Sequence, residues 1–228
     1  MTAVAGLAAL APPAAAAARI HQLVVFRDGH ARVSHPAMAA TSVKVGRKRC
    51  AVPGATPLAA LVRSGIGPLS LRDYGSCSQR AADAGSLFVA AIGPDRNKGS
   101  DGWVYKSGNV LGTAGAADPA GPLGRGRLRA GARVTWFWCH VTARDNGCPH
   151  TLAASVTPGT GSLTVRVRQY DDRGKGAAAV GATVRAGSAT AMTGSDGVAR
   201  LDLPAGRYSV VASQPGRIRS FPVGTHVK

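Results

Sequence analysis

Four cysteines, at positions 50, 77, 139 and 148, are the residues whose type and spacing most directly dictate chemistry in this chain. Cys139, His140, Cys148 and His150 supply acceptable zinc ligand types, but a Cys-x8-Cys-x-His order lacks the close paired spacing of zinc knuckles and ribbons. An even cysteine count fits disulfides better, with three connectivities open to four cysteines. Nearest-neighbour pairing would join Cys50 to Cys77 around a helix. It would also join Cys139 to Cys148 across a short loop through the turn-forming run Asp145-Asn146-Gly147.

Other reactive constellations are weaker. All 11 acidic residues are Asp, so the glutamates that serve many hydrolases as acids, nucleophiles and metal ligands are missing. No G-x-S-x-G pentapeptide offers a nucleophile turn, and the 6 histidines are scattered except for His140 and His150. Gly124-Arg125-Gly126 lacks the Gly-Lys-Ser/Thr sequence that cradles phosphates. Asp171-Asp172 could suggest a metal pair, but adjacent side chains on extended chain diverge and Gly174 marks a turn. A solvated hairpin tip is the expectation there, and neither catalysis, a metal nor a cofactor is expected.

Charge narrows the partners. Lys and Arg total 28, giving a net charge of +17 spread over both halves of the chain. Such a field attracts polyanions, whether nucleic acid or an anionic cell-envelope polymer. Arg supplies most of it in a chain also rich in Ala, Gly and Pro, a compositional signature that argues against nucleic acid as the partner. Arg47, Lys48 and Arg49 form the densest cluster. Arg125, Arg127, Arg129 and Arg133 recur at odd positions, which on a strand would place them on one face.

Residues 1–18 carry no charged side chain and run through an Ala-rich stretch to Arg19, like a secretory signal peptide cleaved after Ala17 or Ala18. Pro12-Pro13 interrupts a segment already short and weakly apolar for a membrane anchor, so no transmembrane anchor is expected. The expected location is secreted or at the cell surface, where disulfides persist.

These residues must be held by turns and strands, since 30 Gly and 14 Pro disfavour an all-helical bundle. Leu23–Phe26 and Ala31–Ser34 flank Asp28-Gly29 as a hairpin. Thr56-Pro57 followed by Leu58, Leu61 and Val62 reads as N-cap, first-turn proline and apolar stripe of a helix ended by Gly65. Strands are predicted at 69–74, 86–92, 102–106, 133–139 and 151–156. Thr157-Pro158-Gly159-Thr160-Gly161 reads as a linker, with alternation resuming at Leu163, Val165 and Val167 and again over 181–186, 197–203 and 207–212. The expected fold class is an α+β domain over 20–157, a linker at 158–161, and an all-β sandwich over 162–228.

Two resemblances sharpen this. Asp101-Gly102-Trp103-Val104-Tyr105-Lys106-Ser107-Gly108-Asn109, with Gly115-Ala116-Ala117-Asp118 and Gly131-Ala132-Arg133-Val134-Thr135-Trp136-Phe137, resembles the transcobalamin C-terminal-like domain. That resemblance implies a β-grasp-like fold. In the vertebrate cobalamin carriers the related domain covers a corrinoid beside a helical partner domain that this chain lacks. Gly181-Ala182-Thr183-Val184, Thr193-Gly194-Ser195-Asp196-Gly197 and Pro204-Ala205-Gly206-Arg207-Tyr208 resemble carboxypeptidase regulatory-like domains, transthyretin-like sandwiches that are common in bacterial surface proteins and supply no catalytic group.

The expected function is therefore an exported, non-catalytic binding or cell-envelope interaction protein. One alternative is a carrier of a corrinoid or other small ligand, with Trp103, Tyr105 and Asn109 as candidate ligand-binding residues. Trp103 and Tyr105, two apart on one strand face, either stack on that ligand or complete a core. A second alternative is a secreted hydrolase. Export predicts that protein recovered from the medium begins close to Arg19 with four oxidised thiols by non-reducing mass spectrometry; an intact Met1, or free thiols with stoichiometric zinc, is the contrary result.

Overall fold

The Thr56-Pro57 signal produces the one α-helix among the described residues, a short 3-10 helix follows at Ala81–Ser86, and strand is the predominant element. The computed structural model describes residues 17–142 and 147–228, so most of the expected leader and residues Asp145 and Asn146 of the expected turn lie outside the described residues. The first half runs β1 (His21–Val25), β2 (Ala31–Ser34), β3 (Thr41–Val45), β4 (Lys48–Val52), α1 (Pro57–Arg63), β5 (Leu69–Asp73), β6 (Leu87–Ile92), β7 (Asp95–Arg96), β8 (Gly102–Ser107), β9 (Val110–Leu111) and β10 (Arg133–Cys139). Thr56 caps α1 as expected: its backbone is extended and its Oγ1 accepts the Ala59 N–H at 3.3 Å. Gly65 leaves the helix at φ +67°.

Five of these strands form a sheet in the order β2-β1-β10-β8-β9, with β1 and β10 parallel at its centre. One face carries Val24, Val134, Trp136, Trp138, Trp103 and Tyr105 into a core shared with Leu58 and Leu61 of α1. The other face carries Leu23, Val25, Phe137 and Cys139 against Cys148 and Ile218. β10 is consequently buried from Val134 to Cys139 without a break, which is why its sequence is an apolar run interrupted only by Thr135 rather than an alternating one.

The second half runs β11 (Thr151–Pro158), β12 (Ser162–Tyr170), β13 (Gly176–Ala178), β14 (Thr183–Ala186), β15 (Ala189–Met192), β16 (Val198–Asp202), β17 (Gly206–Ser213) and β18 (Val223–Val227). β11-β12-β13 with β16 beside β12 faces β15-β14-β17-β18. Leu163, Val165, Val167, Val184, Leu201 and Val210 fill the space between as a β-sandwich. Small core residues such as Ala186, Ala199 and Ala212 let the two sheets approach.

Three expectations need correction. The expected linker at 158–161 is the tip of a hairpin: Thr157 and Pro158 pair with Thr164 and Leu163, and the Gly159 N–H donates to the Ser162 carbonyl at 2.9 Å. Small turn residues serve a tight reversal as well as a flexible tether, and the second lobe thus begins at β11. Arg125, Arg127 and Arg129 lie in the irregular connection before β10, with the Arg127 Nε donating to the Pro119 carbonyl at 3.0 Å, so the four arginines share no strand face. The Asp171-Asp172 turn is not simply solvated, because it docks on the first lobe.

That docking centres on Lys106, whose side chain has no solvent exposure. Its position on β8 turns it away from Trp103 and Tyr105, toward the second lobe. The Nζ donates to the carbonyls of Asp171 (2.7 Å) and Tyr170 (3.0 Å) and to Thr151 Oγ1 (3.4 Å), with the Asp172 carboxylate 3.6 Å away. Burial pushes the Lys106 ammonium below its ordinary range, and Asp172 and Asp171 oppose that shift. Asp172 also accepts the Cys148 N–H, while its carbonyl accepts the Leu111 N–H. Lys106→Met keeps the apolar stem and strands these acceptors, so it should lower stability by about 3 kcal/mol. The expected readout is a lower urea midpoint; a loss below about 1 kcal/mol would mean that water replaces the ammonium.

Candidate functional site

Two places in this fold have the shape and chemistry of a site. The first surrounds the predicted aromatic strand. Register on β8 and β10 sets Trp103 opposite Trp138 and Tyr105 opposite Trp136. The rings of the first pair meet edge to face with centroids 6.0 Å apart, and those of the second are tilted at 5.2 Å. Phe26 adds a second edge contact to Trp103 at 5.6 Å. Trp103 and Tyr105 are buried, and their polar atoms are already used within the protein. The Trp103 Nε1–H donates to the Asp95 carbonyl at 2.8 Å. The Tyr105 hydroxyl donates to the Ala114 carbonyl at 2.7 Å and lies 3.2 Å from that of Pro122. Burial pushes the Tyr105 phenol far above its usual range, with the nearby Asp118 charge adding to the shift, so it remains a donor.

Asn109 lies elsewhere. It is exposed in the turn between β8 and β9, where Gly174 of the docked turn comes against its backbone, and it does not meet Trp103 or Tyr105. The sequence thus grouped three residues of which the structure brings two together. The four cysteines form two disulfides, Cys50–Cys77 and Cys139–Cys148, the nearest-neighbour pairs. The first ties β4 to the segment beyond β5, and the second ties the end of β10 to the approach to β11. No group of three or more metal-ligating side chains occurs among the described residues.

The second place is a cleft of about 850 Å³ between the lobes, bounded by Val25 and Gly29 on one side and by the outer face of β14 and β17 on the other. Alternation on β14 and β17 sends Val184, Ala186, Val210 and Ala212 into the sandwich and leaves Thr183, Arg185, Ser209 and Ser213 facing the cleft. Arg217 and Arg219, on the segment after β17, line the same space, and no carboxylate does among the described residues. The Arg219 Nε is buried without a hydrogen-bond partner. A second hollow of about 580 Å³ shares Val25, Gly29, Gln214, Pro215 and Arg217 with the first, continuing it toward Arg27, Asp28, Asp101, Trp138 and His140. The two carboxylates here are engaged: Asp28 by His30 and Asp101 by His140, each at 2.6 Å. Hydrogen bonding from the His30 backbone and ring holds the Asp28 carboxyl below the usual carboxylate range. Arg27 lies over the Trp138 ring at 5.9 Å.

Sequence reasoning missed this cleft because its cations are separated by up to 34 positions along the chain and carry no motif. The usable signal was the placement of Arg185 and Ser209 on the polar phase of their strands, but the opposing wall comes from the other lobe. Comparison with known families, with curated proteins and with solved structures finds no match to this chain.

Trp103, at 3% exposure, packs in the core of the first lobe. Trp103→Ala should cost roughly 3–5 kcal/mol through lost burial and a residual cavity. Equilibrium denaturation would measure it, and near-wild-type stability would return the residue to a surface role.

Proposed function

We propose that this is an exported, non-catalytic binding protein of the cell envelope that holds an anionic polymer in the cleft between its lobes. The observation carrying the reading is the pair of guanidinium groups of Arg185 and Arg219 on one wall, with no carboxylate among the described residues lining that cleft. Guanidinium groups offer forked donors to phosphate and carboxylate, and the neighbouring hydroxyls of Thr183, Ser209 and Ser213 suit a polymer rich in hydroxyl groups. Clefts between lobes are common binding sites. The net charge of +17 adds long-range attraction, while the cleft adds a place for the polymer to sit.

Two disulfides support an oxidising compartment, and among the described residues no helix is long and apolar enough to cross a membrane. For the first lobe, the parallel β1–β10 centre with α1 packed on one face supports an α+β, β-grasp-like reading. For the second, the Tyr208 hydroxyl donating to the Pro204 carbonyl at 3.0 Å supports the corner expected of a carboxypeptidase regulatory-like sandwich. These family readings remain part of the proposal.

The test is binding of the full chain to polyphosphate and to neutral dextran at low and high salt. Arg185→Ser with Arg219→Gln should weaken polyphosphate binding roughly tenfold, about 1.4 kcal/mol, and flatten its salt dependence. Arg166→Ser with Arg168→Ser removes the same charge from the exposed face of β12 and should change much less. Equal losses from both pairs would reduce the interaction to net charge, and dextran bound as tightly as polyphosphate would overturn the reading.

A further inference from the structure

Trp136 is 1% exposed, yet its indole Nε1–H has no hydrogen-bond partner. Burying such a donor unpaired costs about 1–3 kcal/mol, so native proteins almost always supply an acceptor. Trp136 forms part of the wall of a void of about 150 Å³, separate from the arginine cleft, together with Leu87, Val89, Trp103, Tyr105 and Ala116. Phe88, 40% exposed, stands at its rim.

The other polar atoms of the aromatic wall are occupied. The Trp103 indole is bound to Asp95 and the Tyr105 hydroxyl to Ala114 and Pro122. The void therefore combines apolar walls with the side chain of Trp136, whose indole donor is unspent. Gly112, also on its wall, lets the chain pass close to the Tyr105 ring: a Cβ there would come within 2.2 Å of that ring. Apolar cavities of about 150 Å³ hold a benzene-sized molecule, and nothing in this wall would stabilise a charge. A corrinoid is many times too large.

We infer that this void is a binding site for a small, flat, uncharged molecule bearing one hydrogen-bond acceptor, which the Trp136 indole N–H satisfies. The ring stacks among Trp103, Tyr105 and Trp136, and the acceptor selects among ligands of equal shape. This site is independent of the anionic polymer reading, because its ligand is neutral and shares no residue with the Arg185–Arg219 wall.

The test follows the indole N–H signals of the 15N-labelled full chain, with Trp136 assigned from its loss in Trp136→Phe. Acetophenone is the probe, and α-methylstyrene, of the same shape without the carbonyl, is the comparison. Acetophenone should move the Trp136 signal downfield saturably, with α-methylstyrene binding roughly tenfold more weakly. Ala114→Leu, which adds bulk at the wall, should abolish the shift while the Trp103 and Trp138 signals report an intact fold. Absence of a saturable shift assigns the N–H to trapped water and overturns the site. Equal binding of the two probes overturns the role of the acceptor.

Discussion

An ammonium group sealed from solvent must collect its acceptors from the protein, and those of Lys106 all belong to the other lobe. That single requirement fixes how the halves meet. It sets the facing of β8, since Lys106 points to the second lobe only if Trp103 and Tyr105 point to the first core. It also seats the turn after β12, whose Asp172 then holds the Cys148 N–H and the Leu111 N–H. The apolar contacts of Phe137, Cys139 and Ile218 supply the burial, but they are non-directional. The Lys106 cluster supplies direction, and the interlobe cleft exists because the orientation is fixed.

Much of the strand framework was legible because local signals and tertiary demands agree. The Asp28-Gly29 hairpin, the Thr56-Pro57 cap and the Arg133–Cys139 strand all appear where turn chemistry and periodicity place them. The mistaken linker shows where such reasoning ends. Gly and Pro announce a change of direction, and only the pairing partner decides whether the chain reverses or departs. At Pro158 the partner is Leu163, a few residues on, and no local rule contains that fact. The predominance of strand was readable from the same turn residues.

The candidate sites were less legible, for a different reason. Nothing local marks Lys106 as buried, because burial is a property of what covers a residue. One clue was present: Val134 to Cys139 is apolar at almost every position, including both phases of the strand. A strand that hides both faces needs a cover on each, and the second lobe is one of them. That cover also lies over the even phase of β8, where Val104 and Lys106 stand. The cleft arginines needed the same knowledge, since Arg185 and Arg219 converge only through the placement of β14 beside β17.

The parallel pairing of β1 with β10 has a mechanical meaning. The chain enters the pair at His21 and leaves it at Cys139, at opposite ends of two strands running the same way. Tension between the start of the chain and the second lobe therefore slides these strands lengthwise, loading their ladder together instead of peeling it one rung at a time. Past β10, the Cys139–Cys148 bond carries the load directly across and relieves the residues between of tension. A chain pulled between its start and its second lobe would therefore meet its resistance along the β1–β10 ladder, inside the first lobe.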